Sequence, residues 1–86
     1  SLNFNPLYFT YILKSSKDGS YYIGYTNDIN ERLRLHNSGK VLSTKRSLPW
    51  TLFYKEEYNS SVEARRRELQ LKSWKSRKSL ERLKFL

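Results

Sequence analysis

Residues 8–14 and 21–26 are two short runs rich in aromatic and β-branched side chains, separated by Ser15-Ser16-Lys17-Asp18-Gly19-Ser20. Clustered Ser, Asp and Gly are turn residues, and Asp-Gly between two such runs is a strong hairpin signal. The chain is thereby committed early to an antiparallel pair of strands. A connection of even length without a bulge sets odd positions of the first strand opposite even positions of the second. Tyr11 and Tyr22 are then expected on the same face.

The period of the pattern then changes several times. Asp28 and Glu31 have the spacing of a capping box and predict a helix to about Ser38, stopped by Gly39. At 100° per residue Ile29, Leu33 and His36 share one face, and Arg32 lies one turn before His36. Residues 40–48, with Lys40, Lys45 and Arg46, read as an exposed basic loop, and Trp50-Thr51-Leu52-Phe53-Tyr54 reads as a third, well-buried strand. Ser60 and Glu63 open a helix through about Trp74, on which Ala64, Leu71 and Trp74 form one arc, Val62 and Leu69 another, and Glu68 falls between them. An unanswered carboxylate in that position costs about 1–3 kcal/mol if buried, so it asks for a cation or a metal. A final segment from about Arg77 to Phe85 is expected to bury Leu80 and Leu83 over the end of the sheet. The order is β-β-α-β-α-α, an α/β chain of the α+β type with a small three-stranded antiparallel sheet flanked by helices.

Eighty-six residues predict one domain, 1–86, with a modest core. Seventeen Lys and Arg against eight Asp and Glu give a formal charge of +9, which favours a polyanionic partner. Residues 61–86 hold nine of the basic and only three of the acidic side chains, so the C-terminal half is expected to face phosphates. The absence of cysteine removes disulfides, thiolate catalysis and zinc-thiolate sites, and fits a reducing compartment. No apolar window approaches a membrane span and no signal-like segment leads the chain, so the expectation is a cytoplasmic protein without a membrane partner.

Tyr11 in Phe9-Thr10-Tyr11-Ile12, Tyr22 in Tyr22-Ile23-Gly24, Arg32, His36 and Glu68 follow one another in an order that resembles the GIY-YIG nuclease superfamily. The stretches Tyr22-Ile23-Gly24-Tyr25-Thr26-Asn27, Arg32-Leu33 and His36-Asn37-Ser38-Gly39 look closest to its short stand-alone branch, related to the N-terminal nuclease domain of the bacterial excision-repair nuclease. The chain departs from the pattern twice. Phe9-Thr10 stands where the first motif has Gly-Ile, and Tyr25 stands where the repair nuclease carries a lysine.

The resemblance implies a metal-dependent DNA endonuclease acting in repair or processing, with branched or damaged DNA among its substrates. It implies that Tyr11, Tyr22, Arg32, His36 and Glu68 are catalytic and meet at one concave surface, and that Glu68 holds Mg²⁺ or Mn²⁺ weakly until substrate arrives. Arg32 would present a forked donor to a phosphoryl oxygen, and one tyrosine would act as base while the other orients water or phosphate. The basic residues expected to contact the backbone are Lys40, Lys45, Arg46, Arg65, Arg66, Arg67, Lys72, Lys75, Arg77 and Lys78. Plainer readings exist for four of the five site residues. The tyrosines suit any sheet, His36 suits a helix C-terminus, and Glu68 can pair with Lys72 at i, i+4. The competing functions are a non-catalytic nucleic-acid-binding module on the same fold, and a protein- or membrane-surface module using the C-terminal helices.

Overall fold

A computed structural model describes residues 7–74 and 76–85. The strands are β1 (Tyr8–Ser15), β2 (Tyr21–Thr26) and β3 (Trp50–Tyr58), and the helices are α1 (Ile29–Asn37), α2 (Ser61–Ser73) and α3 (Arg77–Leu83). All pairings are antiparallel and the sheet order is β2-β1-β3. The predicted order β-β-α-β-α-α is the observed one.

The hairpin forms as its chemistry requires. Gly19 takes a φ of 75°, which only glycine adopts without strain. Asp18 accepts from the Ser20 amide and hydroxyl and from the Ser47 hydroxyl, so the turn is also tied to the segment before β3. Tyr11 pairs with Gly24 and Leu13 with Tyr22, which puts both tyrosines on one face as the even connection demands.

Each helix start is capped by a side chain: Asp28 accepts from the Glu31 amide, Ser60 from Glu63, and Ser76 from Ser79. Gly39, at φ 79°, ends α1 by donating its amide to the His36 carbonyl.

Two cores lie on opposite faces of the sheet. One gathers Tyr11, Leu13 and Trp50 with Tyr22, Ile29, Leu33 and Leu48 beneath α1. The other gathers Ile12, Leu71, Leu80 and Leu83 with Tyr21, Ile23, Phe53, Tyr54 and Trp74 beneath α2 and α3. Leu80 and Leu83 are buried as their spacing predicts.

The third strand differs from expectation. It runs to Tyr58, and beyond the buried Trp50 its side chains are half-buried or exposed. The reason is position: β1 takes the centre of the sheet, leaving β3 as an edge. The register passes from Ile12 opposite Tyr54 to Leu13 opposite Leu52, so Phe53 is the extra residue of a β-bulge. The basic loop before it is not wholly exposed either, because Thr44 is buried. Among the described residues no helix is long and apolar enough to cross a membrane.

Candidate active site

The sheet places Tyr11 and Tyr22 diagonally on one face, and α1 lays His36 and Arg32 over them. Their rings form a compact group, with Tyr22 and His36 centroids 4.6 Å apart and Tyr11 at 6.4 Å from each. Tyr11 lies across β2 at its one buried glycine. A Cβ on Gly24 would fall 2.6 Å from the Tyr11 Oη and 2.8 Å from its Cζ, so the ring occupies the space a side chain would take. The glycine of Tyr22-Ile23-Gly24 is thus a steric requirement of Tyr11.

His36 is fully buried and is bonded at both ring nitrogens. Its Nε2 lies 3.3 Å from the Tyr11 hydroxyl and its Nδ1 2.9 Å from the Thr44 hydroxyl. Trp50 Nε1 donates to the Thr44 carbonyl, and the Asn37 amide group bonds both the carbonyl and the amide of Trp50. The loop between α1 and β3 is therefore folded back to hold the imidazole. Burial pulls the His36 pKa below its ordinary value, reinforced by the Arg32 charge, so the ring is neutral at pH 7.

The Arg32 guanidinium acts on both phenols, Tyr11 more strongly than Tyr22, and its own pKa rises in consequence. Its Nε is buried without a hydrogen-bond partner in the protein. Burial raises the Tyr11 pKa above the usual phenol value, while the neighbouring Arg32 guanidinium pulls in the other direction. Tyr11 is consequently a protonated phenol at neutral pH.

Glu68 is placed differently from the other four. It is carried by α2, whose Ala64 and Leu71 are buried and which packs chiefly on β2 and β1 from the Ile12 side. A hydrogen bond from the Thr10 hydroxyl to the Ala64 carbonyl, 2.7 Å, fixes that helix to the central strand. Glu68 is 8% exposed; Oε2 is 2.7 Å from Lys72 Nζ, while Oε1 is buried with no partner. Its charge reaches the Tyr11 phenol as a minor influence raising the pKa. Four of the five residues therefore meet on one face, and Glu68 approaches from the α2 side, where Tyr11 reaches across Gly24.

The GIY-YIG catalytic domain matches residues 7–81, nearly all of the chain. The chain belongs to the GIY-YIG family. Its relatives include UPF0213 proteins: one from Bacillus pumilus is 42% identical over 72 residues, 83% of this chain and 72% of that protein. Another, from Staphylococcus aureus, is 41% identical over 78 residues, 90% of this chain and 94% of the relative. A UPF0213 protein from Bacillus halodurans, solved by NMR in solution, is similar with a TM-score of 0.55 at 37% identity, covering 90% of this chain and 81% of that one.

In this GIY-YIG chain the basic side chains singled out from the sequence do not form a single group. Lys40, Lys45, Arg46, Arg65, Arg66 and Lys78 are exposed. Arg65 lies over the Tyr25 ring, at 6.0 Å, and Arg77 over Tyr21, at 5.1 Å. Lys72 is paired with Glu68, so the i, i+4 contact expected on plain helical grounds is present. Arg67 is not a free cation. Its guanidinium makes a two-point bond to Glu56, at 2.8 and 3.1 Å, and the same carboxylate accepts from the Tyr54 and Tyr58 hydroxyls, clamping α2 to β3. Lys75 lies outside the described residues.

Sequence reasoning did not single out Thr44, Asn37, Trp50 or Gly24 as parts of this arrangement. Gly24 and Asn37 carry a signal, as members of Tyr22-Ile23-Gly24 and His36-Asn37-Ser38-Gly39. The others act through tertiary hydrogen bonds that no local spacing announces.

Proposed function

We propose that this GIY-YIG protein is a metal-dependent endonuclease that hydrolyses DNA phosphodiester bonds. The observation that carries the reading is the cluster of Tyr11, Tyr22, Arg32 and His36 on one sheet face, with a buried, unpartnered guanidinium nitrogen among phenols. Such a group is suited to receive a phosphoryl oxygen, since a donor left unanswered in the protein gains a partner when substrate binds.

Tyr11, buried and protonated, orients by donating a hydrogen bond. Tyr22 is half-buried and more accessible to a water than Tyr11, so it is the better placed of the two to take the nucleophile's proton. His36, neutral and held by Thr44, fixes the position of Tyr11.

The metal fits through Glu68. Among the described residues no group of three or more His, Cys, Asp or Glu side chains is assembled, but Oε1 of Glu68 is a buried acceptor without a partner. One carboxylate, completed by water and phosphate oxygens, suits Mg²⁺ or Mn²⁺. When bound there, the ion would supply charge neutralisation at the scissile phosphate and its leaving oxygen.

The Lys72 contact with Glu68 favours a second reading, a nucleic-acid-binding module of the same fold without turnover. A screen of duplex, nicked, branched and single-stranded DNA with Mg²⁺ or Mn²⁺ separates the two. Cleavage that disappears in Glu68→Ala with affinity retained supports the nuclease; salt-sensitive binding without product in the parent supports the binding module. Cleavage undiminished in Glu68→Ala overturns the metal role of that residue.

A further inference from the structure

Three cations away from the tyrosine face converge on one pair of aromatic rings. Tyr21 and Phe53 meet edge to face with centroids 5.2 Å apart. Lys14 Nζ lies 5.5 Å from the Tyr21 centroid and 5.8 Å from that of Phe53, the Arg77 guanidinium 5.1 Å from Tyr21, and Lys84 Nζ 5.1 Å from Phe53. Among the described residues none of the three is within ion-pair distance of a carboxylate. The nearby Glu81 accepts the Tyr21 hydroxyl instead.

Like charges drawn together from β1 and from both ends of α3 repel one another. Ring faces attract each cation but do not cancel its charge. They also hold the long stems in place while leaving outward N–H donors open. Arg77 and Lys84 are seven residues apart, about 10 Å along a helical rise, so the charges are spread along a line. A single phosphate or headgroup would engage only part of that line, whereas a backbone strand presents a phosphate about every 3.4 Å of axis.

We propose that Lys14, Arg77 and Lys84, seated on Tyr21 and Phe53, form a second phosphate-binding surface that takes a segment of nucleic-acid backbone separate from the one presented to Tyr11 and Tyr22. Separation follows from the sheet. Lys14 pairs with Tyr21 on the Ile12 face, whereas Tyr11 and Tyr22 occupy the other, so one straight segment cannot lie against both. The second segment is a duplex arm, or a strand that has turned away from the site. This inference rests on the nucleic-acid reading given above.

The test is fluorescence anisotropy of a short forked DNA across a salt series, without divalent metal. It compares the parent with Arg77→Gln/Lys84→Gln and with a control of equal charge change, Lys17→Gln/Arg34→Gln. All four side chains are exposed, so folding is not at stake. Loss of two phosphate contacts should lower the log–log salt slope by nearly 2, at about 0.9 per contact, and weaken binding about tenfold near physiological salt, with the control close to the parent. In the unmodified chain, DNA should shift the Lys14 and Arg77 side-chain NMR signals. A parent that binds while the double variant keeps its slope and affinity overturns the second surface alone, as does an equal loss in the control. Loss of binding to anionic vesicles but not to DNA overturns it in favour of a lipid surface. A parent with no salt-dependent DNA binding removes the nucleic-acid reading as well.

Discussion

The Tyr11 phenol occupies the volume that a side chain at position 24 would need, with its Oη 2.6 Å from the place of a Cβ. The strand pair thus exchanges a side chain on β2 for an aromatic ring from β1. Gly24→Ala should displace the ring, at a cost of about 1–3 kcal/mol for overpacking. A shift of that kind is expected to lower cleavage about 100-fold. In a Tyr11→Leu background the stability penalty should shrink, as read by urea denaturation. Strict additivity of the two changes would show that the ring is not the obstacle.

Glu68 is a buried carboxylate with one oxygen unanswered, and its partner Lys72 is half exposed. Replacing it with an apolar side chain removes the orphan acceptor while Lys72 returns to water. Glu68→Leu should therefore stabilise the fold by about 1 kcal/mol while losing metal-dependent cleavage. A destabilised Glu68→Leu protein would mean that the carboxylate is structural.

Burial, and next to it the hydrogen bond to the Glu56 carboxylate, pushes the Tyr54 and Tyr58 pKa values up to about 12. An unfolded tyrosine titrates near 10. The folded state keeps these protons longer, so the stabilisation is complete below about pH 10 and is lost as pH rises toward 12. Absorbance at the phenolate band should show tyrosines ionising around pH 12 that move earlier in Glu56→Gln. The variant should also lose about 2 kcal/mol at pH 7, a moderate figure because the Arg67 and Glu56 side chains are 21% and 19% exposed.

His36 gives the opposite dependence. Its folded pKa is depressed by burial and by Arg32, so the unfolded chain binds the proton first. Stability should be intact above about pH 6.5 and fall as acid approaches the lower folded value. Urea midpoints between pH 7 and pH 5 should decline in the parent and flatten in His36→Gln. The Glu56 carboxylate, whose pKa is lowered from the ordinary 4.5, contributes its own loss only at more acidic pH. An unchanged slope in His36→Gln would assign the decline to other groups.

Local chemistry makes much of this legible from the residues alone. Asp18-Gly19 marks the turn, its even length implies the shared face of Tyr11 and Tyr22, and Asp28 and Ser60 mark the helix starts. The third strand is misread because Trp50, Leu52, Phe53 and Tyr54 look like a central strand. Whether such a run lies at the edge depends on which neighbour β1 chooses, a non-local matter. The hold of Thr44 and Trp50 on His36 is invisible for the same reason. Glu68 shows its oddness in the helical pattern, but the side of the sheet from which it approaches depends on the packing of Ala64 and Leu71. Arg67, one of three consecutive arginines, gives no sign that it alone is taken by Glu56.

Strand β1 gives Ile12 to one core and Tyr11 and Leu13 to the other. Neither layer has an interior of its own once this strand is withdrawn. A chain ending after β3 would leave Ile12, Tyr21 and Ile23 bare to water, and the loss would reach the phenols through the same strand. Amide exchange along β1 should accordingly report global opening, and hydrogens at Thr10 through Leu13 should leave at one common rate, set by unfolding of the whole rather than by breathing of either side.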